Sequence, residues 1–109
     1  MATLFAFKAP STLTIANGGT TSNVISFAEA RGPVAILIIG PAALTAAVTL
    51  QVATTETGTF VPLQSGGSDI TIPAAKGTQI TMSTPGAMRL VSAGAEGAER
   101  VFGILGNSL

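Results

Sequence analysis

A chain of 109 residues is long enough for one domain with a core of its own. Only 9 % of its residues are charged, against about 25 % in an ordinary soluble domain, and the formal net charge is zero. Neutrality excludes a nucleic-acid partner as an expectation, because neutralising phosphates takes a surplus of Lys and Arg, and the absence of Cys excludes disulfides and thiol chemistry.

Residues 1–10, MATLFAFKAP, read as an N-terminal arm. Leu4, Phe5 and Phe7 are apolar, and Lys8 and Pro10 close the segment. It lacks the basic start and long apolar core of a secretory signal. Beyond it, short alternating runs recur with turn residues between them. They predict strands at 11–16, 22–28, 34–39, 48–53, 59–64, 69–72, 78–82, 88–93 and 100–105. Turns are expected at Asn17-Gly-Gly19, Glu56-Thr-Gly58, Ser65-Gly-Gly-Ser-Asp69 and Thr84-Pro-Gly86.

Between Arg31 and Glu56 the chain has no charge, which first suggests a membrane helix. Pro33 and the Gly40-Pro41 pair break the run, and Val48 to Ala53 alternates with strand period. Two strands joined by a turn are therefore expected, with no membrane segment. Val34 to Ile39 has no polar face and reads as a strand buried on both sides. Between them, Pro41 to Val48 is Ala-rich enough for one helical turn. Pro62 points to an edge strand or a bulge, because proline cannot donate to a ladder.

The fold expected is all-β: one antiparallel, jelly-roll-like sandwich of about eight or nine short strands over residues 11–109, preceded by the arm at 1–10. Its core should include Ile15, Val24, Ile36, Ile38, Leu50, Val52, Phe60, Ile80, Leu90 and Phe102. Truncating Leu50 or Phe60 should threaten folding.

No catalytic, cofactor or metal site is expected. With no His or Cys, few groups titrate or attack near neutrality. Glu96 and Glu99 are a possible carboxylate pair, but their Gly/Ala loop suggests solvated side chains. Ser65 to Asp69 offers a single carboxylate, too few oxygens for calcium. Sugar sites commonly stack the ring on Trp or Tyr, and the chain has neither. Leu4, Phe5 and Phe7 are the candidate partner contacts: the arm either tucks onto its own domain or lies across a neighbour.

Pro41-Ala-Ala-Leu-Thr-Ala46, Val48-Thr-Leu-Gln-Val52, Gly58-Thr-Phe-Val-Pro-Leu63, Ile70-Thr-Ile-Pro-Ala74, Met88-Arg-Leu-Val-Ser92 and Glu99-Arg-Val-Phe102 together resemble small virion proteins of tailed bacteriophages. The resemblance spans about 65 residues. It departs at Leu44, where an aromatic is common, and at Thr57-Gly58, where Asp-Gly is usual. It implies a virion surface or accessory component and carries over no catalytic residue. Joined to the low charge, it gives the expected function: a non-enzymatic capsid decoration or cement protein. Such a protein is made in the host cytoplasm and sits on the outer capsid surface. Its partners would be the major capsid protein or other virion subunits, and its own copies in a homo-oligomer, a trimer before a dimer. The alternatives are a tail, neck or fibre-base component and a carbohydrate-binding module.

Overall fold

The computed structural model describes residues 12–26, 34–82 and 86–108, the side chains of 107 and 108 excepted. Regular structure among these residues is entirely β, as the alternating pattern predicts. β1 (Thr12–Ile15), β2 (Ile25–Ser26), β3 (Val34–Ile39) and β4 (Val48–Ala53) come first. Three two-residue strands follow: β5 (Val61–Pro62), β6 (Gln64–Ser65) and β7 (Ser68–Asp69). β8 (Gly77–Met82), β9 (Ala87–Ser92) and β10 (Arg100–Ser108) complete the chain.

The strands form two four-stranded antiparallel sheets. One has the order β1-β10-β3-β8, the other β2-β9-β4-β5, and β6-β7 is a separate hairpin. Four of the pairings are nested: β1 with β10, β2 with β9, β3 with β8 and β4 with β5. β10 also pairs with β3, and β9 with β4, which closes each sheet. The sheets face each other across one apolar core. Leu13, Ile36, Ile38, Ile80, Phe102 and Ile104 enter it from the first sheet, and Val48, Leu50, Met88 and Leu90 from the second. A two-residue side-chain period makes this possible, since every second residue of each strand points inward. Ile72, outside any strand, is buried with them.

Several sequence expectations are corrected here. The run 59–64 is broken into β5 and β6, and 69–72 is no continuous strand: Asp69 ends β7, and only Thr71 makes an isolated bridge to Thr49. Leu63 separates β5 from β6, its amide donating to Leu50 O and its carbonyl accepting from Ile70 N, both at 3.0 Å, and Gly66-Gly67 joins β6 to β7. Both glycines have positive φ (63° and 86°), which lets two residues turn the chain tightly into β7. Pro41 to Ala47 forms bends, with no helical turn. Pro62 does lie on an edge strand, since β5 pairs only with β4.

The core list is also amended. Ile15, Ile36, Ile38, Leu50, Ile80, Leu90 and Phe102 are buried, while Val24, Val52 and Phe60 are only partly so. Phe60 packs on the outside of the second sheet. Arg89 lies over its ring, 4.4 Å from the centroid, and its Nε donates to Gln51 Oε1 at 2.9 Å. A half-exposed cation–π pair is worth about 1 kcal/mol. Phe60→Ala is therefore expected to cost about 1–2 kcal/mol in denaturant melts and to leave a folded protein.

The correction that bears most on function concerns β3. Its inner positions Val34, Ile36 and Ile38 are buried, but its outer positions are not. Ala35 and Leu37 are half-buried, and Ile39 is 45 % exposed. The strand is covered on one side, where its sequence suggested two.

Candidate functional site

Two places concentrate the features that sequence left open: a polar lock at one end of the sheets, and the uncovered face of the first sheet. A third feature, an open cleft of about 740 Å³, lies between the edges of the sheets. Val52, Leu63, Met82 and Ala87 line it with Thr54, Thr59 and Thr81, and none of the described residues lining it is charged.

The lock is built on Glu96, expected to be solvated and found 1 % exposed. The Thr45 amide donates to Oε1 at 2.8 Å and the Ala46 amide to Oε2 at 3.2 Å. The Ser92 hydroxyl donates to Oε2 at 2.7 Å, and Arg100 Nε donates to Oε1 at 2.9 Å in an ion pair. Around it, the Thr45 hydroxyl accepts from Gly97 N at 3.0 Å and from Arg100 Nη2 at 3.1 Å. The backbone joins in: Gly18 N donates to Glu96 O at 2.7 Å, and Glu96 N to Gly19 O at 3.0 Å. One residue thus ties the 17–19 turn, the 45–46 segment and the start of β10 together.

Burial of Glu96 raises its pKa. The hydrogen bonds from Thr45, Ser92, Arg100 and Ala46 outweigh that and bring it from the ordinary 4.5 down to about 2. A carboxylate so firmly ionised and so enclosed is a poor proton carrier, since a general acid or base works best near the operating pH. Glu99 is exposed and makes no part of this network, so the structure does not bring the two carboxylates together as a pair. The role of Glu96 is to hold loops.

The Ser65–Asp69 segment is a hairpin whose Asp69 Oδ1 accepts from Gln64 Nε2 at 3.0 Å. No group of three or more His, Asp or Glu that could hold a metal occurs among the described residues. No helix among them is long and apolar enough to cross a membrane. Leu4, Phe5 and Phe7, the contacts expected from sequence, lie outside the described residues.

The uncovered face was not anticipated from sequence. Val101 and Leu105 of β10 are 44 % and 60 % exposed, and Ile39 of β3 is 45 % exposed. They stand on one face, because β10 and β3 pair with Gly103 opposite Ile39 and Leu105 opposite Leu37. The signal that could have found it is the second apolar parity of each strand: Ala35, Leu37 and Ile39 in β3, Val101 and Leu105 in β10.

The sheet's edge at β1 is closed to an added strand. The Asn23 side chain accepts from Thr14 N at 2.8 Å and donates to Thr12 O at 3.3 Å, occupying two of the outward backbone groups.

Comparison of the chain with protein-family models, with curated proteins and with solved structures finds no match.

Proposed function

We propose that this chain is a non-enzymatic structural subunit of a tailed-phage particle, a decoration or cement protein on the capsid exterior. The observation that carries the proposal is the uncovered first-sheet face, which exposes Ile39, Val101 and Leu105 and has no charge at its described outward positions. A surface of that kind is stable when neighbours cover it, as in an assembly. The sequence resemblance quoted above supplies the kind of assembly.

The nested pairing supports a jelly roll as the finer description of the fold. Pairs β1–β10, β2–β9, β3–β8 and β4–β5 are those of one long hairpin rolled into two sheets. That wiring recurs in viral capsid proteins, lectins and cupins, so it fits the proposal without selecting it. The mechanism is mechanical. A small binder spanning seams between capsid subunits adds buried area that internal pressure must overcome.

The test is addition of the purified protein to expanded particles that lack it. Hundreds of copies bound per head, with heads more resistant to heat, are expected. A few copies per particle would place it in the tail or neck. Binding to glycans and none to heads would make it a sugar module. In the same assay a chain beginning at Ser11 should melt within a few degrees of the full chain yet bind heads at least about tenfold more weakly, because Leu4, Phe5 and Phe7 are removed. Loss of soluble protein on that truncation would assign the arm to the core instead.

A further inference from the structure

We propose that the outer face of the β1-β10-β3-β8 sheet is where a second copy of this chain docks, face to face about a twofold axis. The inference rests on the reading of the chain as a virion subunit, and it replaces the trimer favoured from sequence with a twofold pair. It can be tested on the isolated protein, so its failure and that of capsid binding are separable.

The composition of the face comes first. Its outward positions carry Thr, Val, Gly, Leu, Ile, Ala and Gln, and not one charge. In a twofold contact each patch meets its own copy, so any charge near the axis would face itself. A face with no charge is compatible with its own image.

Shape supports the same occupant. Gly103 lies between Val101 and Leu105 on β10, with Ile39 beside it: a Cβ built there would be 3.8 Å from the Ile39 Cβ. Gly77 of β8 sits under Leu37, whose Cδ1 would be 3.1 Å from an added Cβ. Gly77 lets Leu37 lie down over β8, and Gly103 leaves the surface beside Ile39 low. The result is a broad, shallow apolar surface, suited to another sheet and too flat to grip a side chain from a loop.

The area fits a weak pair. Strands of four, nine, six and six residues, about 4.8 Å apart and rising about 3.3 Å per residue, project to roughly 400 Å² per copy. Two stacked faces remove roughly 800 Å² in flat projection and more as accessible surface. That lies at or below the roughly 1,200 Å² lower end of specific interfaces, so a weak, reversible pair is expected.

The experiment is light scattering and sedimentation on the full-length protein over a wide concentration range, beside Leu105→Glu, Val101→Glu and a control, Ser65→Glu, in the exposed β6–β7 hairpin. The unsubstituted chain and the control should move towards twice the chain mass of 10.8 kDa, or an even multiple of it, as concentration rises. Leu105→Glu and Val101→Glu should weaken self-association about 100-fold or more, while their circular dichroism stays that of the parent. Both positions are exposed, so folding should survive. Methyl labels on Leu37 and Ile39 should broaden with self-association in the parent and not in the variants. A parent monomeric at millimolar concentration, or an oligomer indifferent to both substitutions, overturns the proposal. Capture of the face by a different protein while the isolated chain stays monomeric overturns it as well.

Discussion

Glu96→Gln is expected to destabilise the protein by roughly 2–4 kcal/mol at neutral pH, a large share of a small domain's stability. The carboxylate accepts from two backbone amides, a hydroxyl and a guanidinium. An amide in its place turns one acceptor into a donor. That donor would face N–H groups of Thr45, Ala46 or Arg100, leaving at least one of them buried without a partner. The sign of the pH dependence follows from the lowered pKa. The ionised form is favoured in the folded state, so the contribution of Glu96 is fully present above about 4.5 and is lost as pH falls through about 2. Integrated over that interval, it amounts to roughly 3 kcal/mol. Urea melts of the parent should weaken between pH 4.5 and 2, and those of Glu96→Gln should lack that part of the decline. Equal acid sensitivity in the two proteins would show that the lock carries no such energy. Arg100→Met should show part of the loss at neutral pH, since it removes one of the four donors.

Leu50→Ala should cost about 3–5 kcal/mol and bring the domain close to unfolding at room temperature. Leu50 is fully buried in β4, an inner strand of the second sheet, directly opposite Leu90 of β9. Its neighbours are fixed by two ladders, so the surrounding core has little freedom to collapse into the space. The adjacent Thr49→Ala, on the other face of the same strand, should change stability by less than about 1 kcal/mol. Phe102→Ala should resemble Leu50→Ala, because Phe102 is buried to the same degree on β10, between β1 and β3. Phe60→Ala should not. The contrast between the two Phe substitutions separates the core from the outer face of the second sheet.

Strand identity was legible because it is local. Val34–Ile39 and Val48–Ala53 have the boundaries their composition predicts, and β8 and β9 begin one residue earlier than expected. β-branched residues between Gly and Pro punctuation leave few other conformations. The Gly66-Gly67 turn was legible for the same reason: positive φ at successive positions is open chiefly to glycine.

Glu96 was not legible. Its neighbours in sequence, Gly94, Ala95, Gly97 and Ala98, describe a polar, permissive loop. Its partners at Thr45 and Ala46 are some fifty positions away, and no local pattern announces a hydrogen bond over that distance. Phe60 failed as a core assignment in the opposite way. An aromatic in an alternating run looks inward, yet Phe60 precedes β5, outside any strand, and its ring packs under Arg89 instead.

The sequence by itself determined that this protein is built of short antiparallel strands, where most of them turn, and that it can spare charge. Which strand pairs with which, and which face of an all-apolar strand meets the core, only the tertiary structure decided. A run such as Val-Ala-Ile-Leu-Ile-Ile offers the core two nearly equal faces. Pairing with β8 on one side and β10 on the other turns Val34, Ile36 and Ile38 towards the second sheet, and it leaves Leu37 and Ile39 beside Val101 and Leu105 on the outside. Period-two alternation specifies that a strand has two sides; burial of one of them is a property of neighbours that lie far off in the chain.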